Sequence, residues 1–157
     1  MTTPVSLNHG RTYLAIPGPS VMPDRVLAAM HRAAPNIYEG ALHEMVAGLW
    51  PRLRAVARTS QHIALYIGNG HAAWEAANAN LFSRGDKALV IAVGRFGIGW
   101  AESVRGLGVE VDVLNFGQSS PIDFGKVEAA LRADKAHSIK AVLTCHVDTS
   151  SSYKADI

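Results

Sequence analysis

Gly68-Asn69-Gly70-His71 sets two glycines, a short amide and an imidazole between an apolar run and a helix-forming run. A turn of that kind aims backbone N–H groups at one point. Those groups and the dipole of the following helix can together hold an anion such as a phosphate. The same four residues also suit a plain tight turn with Asn69 in a left-handed conformation. They do not form the dinucleotide fingerprint, because Ala73 stands where its last glycine belongs, and the phosphate-lysine loop of nucleotidases is absent. A second segment, Val93-Gly94-Arg95-Phe96-Gly97, puts an aromatic ring between two glycines, where it can cover a planar ligand or pack on a neighbouring helix. The third, His146-Val147-Asp148-Thr149-Ser150-Ser151-Ser152, is dense in short polar groups that can bond a ring hydroxyl or a carboxylate, or simply make turns. His71 and His146 lack a carboxylate at a ligand spacing and so do not read as a metal pair. Cys145 ends an apolar run and reads as a small buried hydrophobe. No serine elbow of the G-x-S-x-G type occurs.

The elements that must position these residues follow from periodicity. Pro23 opens a helix to about Ala33, with Val26, Leu27 and Met30 at helical spacing. Leu42, Met45, Val46, Leu49, Leu53 and Val56 mark a second helix, which Pro51 is expected to bend or divide. From His62 onward the pattern alternates. Strands are expected at His62 to Ile67, Lys87 to Ala92, Val109 to Leu114 and Ile139 to Cys145. Helices are expected between them at Ala72 to Phe82, Gly97 to Leu107 and Phe124 to Ala133, the last capped by Asp123. Three β-α-β units in series imply an α/β fold, a mostly parallel sheet with helices on both faces, preceded by a proline-rich segment. The expected division is 1–60 for that segment and 61–157 for the sheet region. In such a sheet the functional loops lie at the carboxyl ends of the strands, where all three segments fall.

Composition narrows the class. A chain of 157 residues that is 48% hydrophobic and 18% charged can bury a core. A net charge of +2 leaves no electrostatic footprint for nucleic acid or an anionic membrane. One cysteine excludes an intrachain disulfide and a multi-cysteine zinc site. Met1 to Gly10 lacks the apolar core of a signal peptide, and no apolar run reaches the roughly 18 residues of a membrane span. These features point to a cytoplasmic, soluble protein.

Several short segments stand in a specific order: Pro17-Gly18-Pro19 with Pro23-Asp24-Arg25-Val26, Gly70-His71 with Trp74-Glu75, Arg84-Gly85-Asp86-Lys87, and Gly94-Arg95-Phe96-Gly97. Ala129 through Lys135, Ile139-Lys140-Ala141-Val142 and His146 through Ser150 complete the series. Together they resemble the class V aminotransferases of pyridoxal-phosphate fold type I, and within them the serine–glyoxylate and alanine–glyoxylate enzymes. The resemblance implies a pyridoxal 5'-phosphate cofactor whose phosphate is held by Asn69, Gly70 and His71. It implies a ring stacked on Phe96 with its polar edge bonded by Thr149, and Gly18 as a contact to the substrate. The implied substrates are a small amino acid and a keto acid, and the implied complete form is a homodimer, to which apolar residues such as Leu49 and Trp50 could contribute.

Two departures qualify the likeness. The family usually continues after Thr149-Ser150 with a threonine and a glycine, where this chain has Ser151-Ser152-Tyr153. The family is also roughly twice as long or more. None of Lys87, Lys126, Lys135, Lys140 and Lys154 matches its Schiff-base lysine, and its pyridine aspartate and carboxylate-binding arginine are likewise unmatched. The expectation is therefore the amino-terminal part of a longer transferase, truncated before the catalytic lysine. Alternatives are an inactive remnant that binds a phosphate compound or a partner, or a class V enzyme acting on pyridoxamine or an aminophosphonate.

Overall fold

The computed structural model describes Leu14, Ile16, Gly18 and residues 20–157; Met1 to Gly10, Pro17 and Pro19 lie outside the described residues. The chain separates into two compact units, Met1–Ile63 and Ala64–Ile157. The first carries α1 (Asp24–Met30) and α2 (Ala41–Val56), neither of which buries a residue. Pro51 lies within α2 without dividing it. Its missing N–H costs the helix one bond, to the carbonyl of Ala47, and the helix continues on either side.

The second unit carries α3 (Gly70–Leu81), β1 (Lys87–Ala92), α4 (Arg95–Gly106), β2 (Glu110–Asn115), α5 (Phe124–Ala133), β3 (Ile139–Thr144) and the short strands β4 (Val147–Asp148) and β5 (Tyr153–Lys154). The sheet order is β2-β1-β3, all parallel. β1 is central, and its last five residues are buried, as a strand covered on both faces requires. Alternate residues serve two cores. Ala88 and Val90 join Phe82, Ala101, Val104, Val109 and Leu143 beneath α4, while Ile91 joins Val93, Ile122 and Ala155, with Val127 of α5 packed against them. Burying a Val or Leu in such a cluster stabilises by about 1.5–3 kcal/mol.

Local chemistry sets the helix starts. Asn69 caps α3 by accepting the Ala72 N–H at 3.1 Å, and Asp123 caps α5 by accepting that of Lys126 at 3.2 Å. Gly94, at the N-cap of α4, has no side chain to offer. Gly97 lets the first turn of α4 press on β1, since a Cβ there would lie 2.8 Å from Ala92 Cα.

One expected strand is not formed. His62 to Ile67 carries no strand, and Leu65, Tyr66 and Ile67 are 64%, 70% and 108% exposed. Among the described residues β1 is already paired on both edges, and this segment is not laddered to the outer edge of β2 or β3. An unpaired buried strand leaves N–H and C=O groups orphaned, so the segment stays in solvent. Two β-α-β crossovers result, where three were expected. The stretch expected to be a loop, His146 to Tyr153, folds instead as a β4–β5 hairpin in which Val147 pairs with Lys154 and Asp148 with Tyr153. Ser152 within it has φ 56°, the left-handed region that glycine would occupy without strain.

Candidate functional site

The carboxyl end of β3, the first two turns of α3 and α4, and the hairpin line a cleft of about 380 Å3, within the size range of small-molecule sites. Gly70 and His71 reach it from the start of α3, where the helix presents free N–H groups. Trp74, one turn further, and Phe96 and Trp100 from α4 supply its aromatic wall. The Trp74 and Trp100 rings stack at 5.3 Å with planes 7° apart. The Phe96 ring lies 6.2 Å from Trp74 and 6.1 Å from His71, and the His71 ring is 4.7 Å from Trp74. Phe96 therefore packs on α3 while lining the cleft. Thr149, exposed on the hairpin, completes the opposite side together with His146 and Val147.

Asp148 holds this arrangement. It is fully buried, and its Oδ2 accepts the N–H groups of Phe96 and Gly97, each at 3.1 Å. Its Oδ1 accepts the Ser150 N–H at 3.0 Å and the Ser150 hydroxyl at 2.6 Å, and the same hydroxyl oxygen accepts the Arg95 N–H at 2.7 Å. The hairpin thus supplies the cap that Gly94 cannot, and a carboxylate at a helix N-terminus is favoured by the dipole. A Cβ at Gly94 would sit 2.5 Å from this carboxyl, so the position requires glycine for space.

Gly70, His71, Phe96 and Thr149 share the cleft. Asn69 does not line it, because its side chain is turned to its own helix as the α3 cap. Gly18 is an exposed bend of the first unit, where a Cβ would meet nothing within 4 Å. Sequence reasoning missed Asp148 as a clamp and Trp74 and Trp100 as wall residues. The spacings 71/74 and 96/100, one helical turn each, carried the signal for the aromatic wall.

Thr144 and Cys145, at the end of β3, also border the cleft. The Thr144 hydroxyl is buried with no hydrogen-bond partner, an unused bonding capacity of the kind that accompanies a ligand site. Burial, assisted by the Asp148 charge, pushes the Cys145 thiol up to about 11 and keeps it protonated. No lysine is among the lining residues. Lys87 is paired with Glu110 and Asp112 at 3.0 Å each, and Lys140 with Asp86 at 2.6 Å. Among the described residues no group of three or more His, Cys, Asp or Glu could hold a metal ion.

Comparison with known proteins places this geometry in context. The chain is 34% identical over 149 residues to the serine–glyoxylate aminotransferase of Methylorubrum extorquens, matching 94% of its own length and 37% of that protein's. Over nearly its whole length the chain is thus similar to the amino-terminal third of serine–glyoxylate aminotransferases. The alanine–glyoxylate aminotransferase of a Nostoc species superposes on 97% of the chain, with a TM-score of 0.74 at 23% identity, the chain covering 42% of it. The pyridoxamine–pyruvate aminotransferase of Mesorhizobium loti superposes on 84%, with a TM-score of 0.72 at 25% identity, the chain covering 33% of it. No family profile matches the chain. The chain thus spans little more than a third of the curated aminotransferase relative it matches. It carries an incomplete form of the fold type I large domain, with a parallel sheet and helices on both faces. No helix among the described residues is long and apolar enough to cross a membrane.

Proposed function

We propose that this chain is the cofactor-cradling part of a pyridoxal-phosphate-dependent aminotransferase that moves an amino group from serine or alanine to glyoxylate. The observation that supports the reading is the meeting of a helix N-terminus, an aromatic wall and unsatisfied or exposed hydroxyls in one cleft at the carboxyl ends of the strands. These residues fit the cofactor. Gly70 and His71 at the start of α3 would hold its phosphate, as backbone N–H groups at a helix N-terminus do. Phe96, backed by His71 and Trp74, would cover its ring, and Thr149 would bond the ring's polar edge. When bound, pyridoxal phosphate supplies an electron sink that delocalises the charge left on removing an amino acid's α-proton. The chain's own part is to orient the ring, neutralise the phosphate and exclude water along the aromatic wall. The active lysine would come from beyond the matched third of the relatives, and the complete form would be a cytoplasmic homodimer. Gly18 is proposed as a substrate contact in that form.

The lining of the cleft favours a second reading for this chain by itself: with no lysine there, it binds pyridoxal phosphate reversibly and does not turn over. Titrating the purified chain with pyridoxal phosphate, and assaying glyoxylate-dependent conversion of serine and alanine, tests both. Saturable binding that Phe96→Ala weakens about tenfold supports the cradle. Absence of binding, or binding insensitive to Phe96, overturns it, and steady turnover by the 157-residue chain overturns the second reading. Conversion of pyridoxamine with pyruvate in place of glyoxylate chemistry would move the substrate assignment to that class.

A further inference from the structure

The wall of the cleft depends on Trp100, and what holds Trp100 lies behind it. Asn78, in the third turn of α3, is fully buried. Its side-chain oxygen accepts the Trp100 indole N–H at 2.9 Å, and its amide nitrogen donates to Ser103 Oγ at 3.4 Å. An indole has one donor and no acceptor, so only the oxygen of the amide can serve it. Asparagine is a modest helix former, and a buried amide is costly unless bonded, so packing alone gives no reason for it here. A leucine would fill comparable space and leave the indole N–H unpaired beside an open cleft into which the half-buried ring could turn. The bond fixes one ring, and that ring fixes the next. Trp100 stacks on Trp74, which meets Phe96 and His71 edge-on.

We propose that Asn78 is a positioning residue of the cleft: by accepting the Trp100 indole N–H it sets the Trp100–Trp74 stack that forms the wall for a planar ligand. The identity of that ligand rests on the function proposed above; the positioning of Trp100 does not. The test uses the full chain in a Trp50→Phe background, in which the stacked pair are the two remaining tryptophans. Asn78→Leu is expected to lower by at least about half the near-ultraviolet circular-dichroism signal that the two immobilised indoles give, because a released ring averages its surroundings. It is also expected to raise the apparent Kd for pyridoxal phosphate, read by tryptophan quenching, about tenfold. With Trp100→Phe added, no N–H remains to be held, so Asn78→Leu should weaken binding no further. A retained indole signal with unchanged affinity would reduce Asn78 to a core residue and overturn the proposal. Should the leucine variant fail to fold, the parent protein decides the matter by NMR. A Trp100 indole proton protected at least about tenfold against solvent exchange, relative to an unstructured indole, supports the bond, and an unprotected one removes it. Loss of the indole signal in Asn78→Leu without any pyridoxal phosphate binding by the parent leaves the positioning standing and overturns the cofactor reading alone.

Discussion

Asp148 concentrates more of the site's geometry than any residue expected to contact a ligand, because one carboxylate fixes the amide N–H groups of Phe96 and Gly97 and, through Ser150, that of Arg95. Asp148→Ala strips α4 of its cap and leaves those donors unpaired. It should cost about 2–3 kcal/mol in urea-unfolding free energy. Gly94→Ala drives a methyl into the same carboxyl and should cost about 2 kcal/mol in the parent protein. In the Asp148→Ala background most of that cost should vanish, because the colliding group is gone; additive losses would mean that the two positions are not in contact. Cys145 gives a chemical readout of burial. With its thiol raised from 9.0 to about 11, native protein at pH 8 should be alkylated by iodoacetamide about a hundredfold more slowly than unfolded protein. The sign for stability follows. The folded state favours the thiol, so this contribution is complete below the unfolded value near 9 and is lost as pH rises through about 11.

At the scale of elements, helix spans and strands were legible where a local signal existed. The β1 and β3 runs, the Asp123 cap and the 124–133 helix needed only periodicity and one capping side chain. The hairpin at 147–154 was not legible, because two-residue strands carry no period and its pairing depends on Asp148 being buried elsewhere. Ser152 pays for that turn in backbone strain, and Ser152→Gly should raise the unfolding midpoint in urea by an amount equivalent to about 0.5–1 kcal/mol. The starts of the sheet strands are pinned by carboxylates. The Lys140 ammonium beside Asp86, helped by the Ser83 N–H, holds the Asp86 carboxyl below its ordinary value. The N–H of Ile139 and the hydroxyl of Ser138 do the same for Asp134. Both groups favour the folded state when ionised. Their contribution is therefore present above the ordinary carboxylate range and lost as pH falls through their lowered values. Lys140→Met and Asp134→Asn should each flatten the acid limb of a stability-against-pH curve; an unchanged limb would remove that role.

For the second unit as a whole, the consequential feature is the apolar segment Leu65-Tyr66-Ile67 left in solvent while β3 stands at an edge of the sheet. Exposed apolar residues beside an unpaired strand edge are a route to association. Tyr66→Lys with Ile67→Lys should lower concentration-dependent association, measured by light scattering, without lowering the thermal midpoint. A fall in both would mean that the segment is packed in solution. Here the failed strand expectation is instructive. His62 to Ile67 has the composition of a strand, yet a strand forms only when it pairs with the N–H and C=O groups of another; β1 is already flanked by β2 and β3, and the segment is not laddered to the outer edge of either.

The segments 68–71 and 93–97, expected as loops, put Gly70, His71 and Phe96 in the first turns of α3 and α4. By itself the sequence determined which stretches could be helix or strand and that the sheet would be parallel and α/β. Those properties follow from period, capping chemistry and the handedness of crossovers, all of which act over a few residues or one β-α-β unit. Only the tertiary structure decided that Asn69 serves its own helix, that Asp148 reaches across some fifty residues to cap α4, and that Asn78 stands behind Trp100. Each of these is a choice of hydrogen-bond partner made after the chain has packed, when burial leaves a polar atom one geometry in which its bond can be satisfied.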